Sequence, residues 1–138
     1  MEEGPGLIEL TGGGRALRQA DLIQLVDGPE VAPLPPGEGA WVGLANLRGE
    51  VIPVADLGLL AGTGRIVAPV LAAIRGPEGA FGLLIEGVER TVEEPGEGEL
   101  ADDPLPGDPA WLVPAPPGRP RVIDPALLLE DPGLGASR

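Results

Sequence analysis

The chain has 138 residues, nine cationic side chains (all Arg) against 22 acidic ones, and a net charge of -13 at neutral pH. It has no Lys, His, Cys or Tyr, and its only Ser is Ser137, which excludes Ser–His and Cys–His nucleophiles, lysine chemistry, disulfides and zinc sites built from Cys or His. Such a polyanion is repelled by nucleic acid and by anionic membrane surfaces.

No apolar run approaches the roughly 18 residues that span a bilayer. The stretch from Met1 to Pro5 lacks the basic region and apolar core of a secretory signal. A cytoplasmic protein without nucleic acid or direct membrane insertion is therefore expected. Gly (23) and Pro (18) are abundant, a level that can signal disorder. Leu, Ile, Val and Phe nevertheless stay well above the roughly 20% below which chains are disordered. Together these point to short apolar strands joined by many turns.

The segments, in chain order, bear this out as a pattern. Leu7 to Leu10 is apolar. Ala16 to Val26 follows, and within it Ala20 to Leu25 reads equally as a helical turn or a strand. Trp41–Leu47 and Val51–Leu57 flank Arg48-Gly49-Glu50, where Gly49 supplies the positive φ of a tight hairpin. Pro53 cannot donate a ladder hydrogen bond and should mark an edge or a bulge. Asp56-Leu57-Gly58-Leu59-Leu60 starts like a capped helix, with Gly58 spoiling it. Ile66–Ile74 and Phe81–Val92 form a second hairpin around a longer turn. Residues 93–110 are acidic and rich in Gly and Pro, a solvated loop. Trp111–Val113 and Val122–Ile123 come last. They precede Asp124–Glu130, where Asp124 suits an N-cap and Pro125 the first helical position. Short strands at this spacing describe an all-β domain with a short C-terminal helix.

The halves repeat. Ala40-Trp41-Val42 matches Ala110-Trp111-Leu112, 70 residues on, and Val54-Ala55-Asp56 matches Val122-Ile123-Asp124, 68 on. Leu17 to Leu22 aligns loosely with Leu83 to Val88, at 66. A duplicated unit of about 65–70 residues follows. Each unit alone buries little core, so the two should pack together. The expected subdomains are 1–62 and 63–138, with the C-terminal segment packing back on the first.

Only carboxylates remain as catalysts. Two of them suffice for glycoside hydrolysis, but sugar sites also carry aromatic platforms and amides, and here there are two Trp, one Phe, one Asn and two Gln. The acids of Glu93–Asp103 lack the spacing of a calcium loop. Neither an enzyme, a metal site nor a cofactor is expected.

The stretch Leu34–Leu57 is the most specific. Asn46-Leu47-Arg48-Gly49 followed by Ile52-Pro53-Val54-Ala55-Asp56-Leu57 resembles the signature of CheW-like domains, the adaptors of bacterial chemosensory arrays. Leu34-Pro35 upstream, Val67–Leu71, Phe81–Val88 and Val122-Ile123-Asp124 downstream extend the resemblance over about residues 5–130. It is strong in the first half and loose in the second. Trp41–Asn46 is also similar to adaptors of twitching-motility systems. The resemblance implies two packed five-stranded SH3-like β-barrels and a non-catalytic function. That function is coupling the cytoplasmic tip of a methyl-accepting chemoreceptor to the regulatory domain of a CheA-type histidine kinase.

It also implies roles for residues. Leu22, Gly43 and Arg48 fall at receptor-contacting positions, while Asn46, Gly49, Pro53 and Asp56 belong to the signature and its turn. Leu22 reads equally as plain core. Gly43 reads equally as a bulge or as a site of close backbone approach. Leu44 and Leu47 are expected in the core, as are Trp41 and Trp111 at the interface between barrels. Related adaptors pair the arginine with an acid that here is Gln24. Arg48 then bonds Gln24 weakly or turns to Asp27, Glu50 or Asp56. The alternative from another class is an acidic β-domain that binds a small ligand or a different signalling partner.

Overall fold

The computed structural model describes residues 6–12, 14–35, 39–94 and 107–135. Among these described residues eleven strands follow one another: β1 (Gly6–Leu10), β2 (Arg15–Arg18), β3 (Leu22–Asp27), β4 (Ala32–Pro33), β5 (Trp41–Leu47), β6 (Glu50–Asp56), β7 (Val70–Gly76), β8 (Gly79–Ile85), β9 (Val88–Glu93), β10 (Leu112–Val113) and β11 (Arg121–Ile123). One-turn helices α1 (Leu57–Leu60) and α2 (Pro125–Leu128) follow β6 and β11. Most of the acidic loop expected over 93–110 lies outside the described residues. The ambiguous stretch 20–25 is mainly strand, entered through a 3₁₀ turn at Gln19–Asp21.

The strands form two sheets. One has the order β10-β11-β2-β1-β9, the other β3-β7-β8-β6-β5-β4. Without β4 the two orders are the same. In each, one parallel pair (β11–β2 or β6–β8) joins strands that are otherwise antiparallel. The registers agree as well. Val54 faces Gly82 as Val122 faces Ala16, Ala72 faces Leu83 as Ile8 faces Leu17, and Leu25 faces Ala72 as Thr91 faces Ile8. The internal duplication is therefore present in the pairing, including the loose match at an offset of 66.

Its boundary differs from the expected 1–62 and 63–138. One unit runs continuously from β3 to β8, across position 62. The other is β9, β10 and β11 completed by β1 and β2 from the start of the chain. Apolar periodicity marks strands but not their partners, and the parallel pairings here join distant segments. The C-terminal strand β11 does pack back on the N-terminal β2. The sheets are open in order among the described residues, and the expected all-β architecture of two packed units is the one observed.

The two tryptophans are not equivalent. Asp56 N–H donates to the carbonyl of Ala40 at 2.9 Å, and Asp124 N–H donates to that of Trp111 at 2.8 Å. Trp111 thus matches Ala40, one residue away from Trp41. A one-residue slip moves a side chain to the opposite face. Trp111 is 1% exposed within the core, whereas Trp41 is only partly buried against it.

Three apolar clusters hold the molecule. The largest lies between the units and includes Leu10 and Leu17 from one sheet, Ile74, Phe81, Leu83 and Ile85 from the other, and Leu128 of α2. A second fills the β3–β8 unit with Val42, Leu47, Ile52, Val54, Leu71 and Leu84. A third, with Leu7, Ala16 and Val122, fills the other unit. Leu71 and Ala73 of β7 point into the second cluster, while Ala72 and Ile74 point into the first. Successive strand residues face opposite sides, so β7 is buried on both. That explains the unbroken apolar run.

The helices cap themselves. Asp56, fully buried, accepts from Leu59 N–H at 3.0 Å, and Asp124 accepts from Leu127 N–H at 3.1 Å. Asp56 also accepts from Ile66 N–H at 3.2 Å, which ties the following loop down. Gly58 does not spoil α1. A Cβ there would strike the carbonyl of Gly64, so glycine is what the loop requires.

Truncating the shared core should be costly. Leu83→Ala is expected to destabilise the fold by about 2–5 kcal/mol. Val88→Ala on the exposed edge strand β9 should cost well under half of that, both read by denaturant unfolding.

Candidate functional site

The turn between β5 and β6 is a two-residue hairpin. Leu47 faces Glu50, and Arg48 and Gly49 both have positive φ, 52° and 90°. Two positive φ values define the type I′ turn that matches strand twist. Asn46 Oδ1 accepts from Gly49 N–H at 2.8 Å and closes it. Asn46 and Gly49 thus shape the turn. Arg48 is different. An L residue in the left-handed region costs roughly 1–2 kcal/mol, and Asn or Gly would suit the position better. Arg48 is nevertheless exposed and has no ion-pair partner among the described residues. Both oxygens of Asp56 are engaged elsewhere. The bond to Gln24 is not made either, and Gln24 Oε1 is buried without a partner among the described residues. Gln24 lies on β3, at the other edge of the sheet from β4 and β5.

Gly43 is buried in β5, opposite Pro33 of β4 and Val54 of β6. The register shifts between Trp41 and Gly43, so Val42 is a bulge. A Cβ at Gly43 would collide with Val31 and with the carbonyl of Ala32. The backbone that approaches Gly43 is therefore the chain's own. Leu22 opens β3 and packs, half-buried, on the core between the units. Asp56 is a buried cap, not a surface group. Pro53 sits in an interior strand, but β6 joins β8 only from Val54 onward, so locally it behaves as an edge.

Gly43, Asn46, Arg48, Gly49 and Pro53 share the β5–β6 hairpin, while Leu22 lies on the opposite edge strand in the sheet order. The hairpin carries a surface that residue-by-residue reading missed. Ala32 faces Leu44, which faces Pro53, and in the next row Asn46 faces Val51. All five are exposed, Leu44 by 38% and Val51 by 62%. The expectation for Leu47 holds at 8% exposure, but that for Leu44 does not. The two are three residues apart, and an odd separation in a strand puts side chains on opposite faces. Alternation was the available signal.

Three comparisons bear on this arrangement. The family model for the CheW-like domain matches residues 7–99. The chain belongs to the CheW-like domain family. This is a family of non-catalytic scaffold and adaptor domains of chemotaxis signalling. A solved structure, the scaffolding protein TtCheW from Thermoanaerobacter tengcongensis, is similar in fold, with a TM-score of 0.74 and 21% identity. The match covers 96% of each chain, so it includes the C-terminal strands that the family model leaves out. No curated protein matches. Among the described residues no helix is long and apolar enough to cross a membrane, and no group of three or more Asp or Glu side chains is arranged to hold a metal ion.

Two outcomes follow. Arg48→Asn should raise stability by roughly 0.5–1 kcal/mol, because Asn tolerates the left-handed backbone better; chemical denaturation reads it. The second concerns Asp21, beside Leu22. Partial burial pushes its carboxyl above the usual range, Asp124 and Glu94 add to this, and Arg18 and Arg75 oppose it. A raised carboxyl pKa means that the folded state holds the proton more tightly than the unfolded one. The folded state therefore loses stability as pH rises through that raised value. Asp21→Asn should raise the Tm at neutral pH, and the gain should vanish below the ordinary carboxylate pKa.

Proposed function

We propose that this chain is a coupling adaptor that joins the cytoplasmic tip of a methyl-accepting chemoreceptor to the regulatory domain of a CheA-type histidine kinase, in the cytoplasm. Arg48 carries the reading. It is a cation in an acidic protein, held in an unfavourable backbone conformation, with no ion-pair partner among the described residues and at the end of an exposed apolar strip. Strain of this kind is retained where the surroundings use it.

The receptor contact is the strip Ala32, Leu44, Pro53 and Val51, where the apolar stripe of a receptor helix would lie, with Arg48 meeting an acidic side chain beside it. Gly43 acts as a positioning residue, since only glycine lets Val31 and Ala32 close over β5. Leu22 lies outside this strip and serves the core. The kinase domain docks elsewhere on the paired sheets. Two partners on one rigid core are held in a fixed relation. A change in the receptor then alters the free energy of the kinase without any chemistry by the adaptor.

Titration calorimetry with the kinase regulatory domain and a receptor-tip fragment from the same organism tests this. The unmodified chain should bind both. Arg48→Ala and Leu44→Glu should keep kinase binding and weaken the receptor fragment at least about tenfold, the loss of roughly 1.4 kcal/mol. A folded chain that binds neither partner would overturn the reading. So would variants that bind the receptor fragment as tightly as the parent.

A further inference from the structure

A second concentration of positive charge lies on the five-stranded sheet. Arg15 of β2 and Arg121 of β11 are direct partners in the parallel ladder. Like charges placed opposite one another destabilise a sheet. Both line a cavity of about 350 Å³, together with Asp108, Trp111 and Leu112 and with Leu60 from the end of α1. The cavity therefore lies where the two units meet.

Among the described residues that line it, the charges do not cancel. Arg121 Nη1 donates to Asp108 Oδ2 at 2.6 Å, which neutralises one guanidinium. Arg15 has no carboxylate in ion-pair range among the described residues. Its surroundings disfavour its charge, first through burial and then through Arg121, against a partial offset from Glu86. Among the described residues one guanidinium is left without an ion-pair partner, in a partly desolvated cavity of mixed polar and apolar lining. A guanidinium there binds a carboxylate through two parallel hydrogen bonds.

We propose that this cavity is a binding site for a small monocarboxylate with an apolar body. The carboxylate lies against the fork of Arg15, and the body lies against the half-buried Leu60, Ala61 and Pro109. Among the described residues a single negative charge balances the walls, whereas a phosphate dianion would overshoot them. The volume is at the small end of ligand sites, roughly 300–1,000 Å³. Because the walls come from both units, the ligand would brace one unit against the other. The proposal is independent of the adaptor reading and would stand without it.

The test is a ¹⁵N-NMR titration of the whole chain with sodium butanoate, with butanamide, sodium phosphate and sodium chloride at matched ionic strength. Trp111 lines the cavity and is one of two tryptophans, so its indole N–H, which donates to Asp131, is a resolvable probe beside the site. Butanoate should shift the Trp111 indole and the amides of Arg15 and Leu112 saturably, with a midpoint on the order of millimolar for so few atoms. Butanamide and chloride should not. Arg15→Gln should abolish the response while the remaining spectrum stays folded, and Arg75→Gln, outside the cavity, should leave it unchanged. Should Arg15→Gln not fold, Arg15→Lys keeps the charge but loses the fork and should bind at least about tenfold more weakly. A response that is linear with salt, equal for butanamide, or retained in the Arg15 variants overturns the site. An equal saturable response to phosphate overturns the carboxylate assignment.

Discussion

The hairpin β7–β8 is buried on both faces, and the rest of the molecule is arranged around that fact. Leu71, Ala73 and Leu84 fill the interior of one unit, while Ala72, Ile74, Phe81, Leu83 and Ile85 reach the cluster shared with the other. Neither unit can bury its half of that cluster alone. The core of a small unit is too thin for independent stability, so packing the units together supplies much of the apolar burial.

Strand exchange makes the same point through the chain. The hairpin β1–β2 belongs with β9 to β11, at the other end of the sequence, and short links lead from β2 into β3 and from β8 into β9. The two units therefore fold as one object. A surface on one unit is held rigidly with respect to the other, which is what a scaffold with two partners requires. The small caps serve this rigidity. Asp56 ends a strand, starts a helix and anchors the loop at Ile66 with a single carboxylate. Asp131 performs a related task, accepting from the Trp111 indole at 2.7 Å and from Gly133 N–H at 2.7 Å.

Against this buried framework, the β4–β5–β6 face stands out by what it leaves open. β4 closes over Gly43, and in doing so adds Ala32 to the row of Leu44 and Pro53. The result is an apolar strip bordered by a tight turn that displays Arg48. Stability would favour other residues at both places, a polar group at Val51 and Asn or Gly at position 48. Local structure does not account for either choice.

Much of this was legible in the sequence, because it depends on chemistry within a few residues. Asn46 and Gly49 specify their own turn, Asp56 and Asp124 cap the residues that follow them, and short apolar runs between glycines and prolines become strands. The signature built from the same residues placed the chain in its family. Tertiary structure decided the rest. The pairing of β11 with β2 and of β6 with β8 joins distant strands of similar composition, and only burial in the complete molecule selects among such pairings. The one-residue offset that leaves Trp111 buried and Trp41 only partly so, the approach of Val31 and Ala32 to Gly43, and the missing bond between Gln24 and Arg48 follow from those pairings. A local pattern specifies what a segment becomes; which neighbours it meets is set by packing across the whole chain.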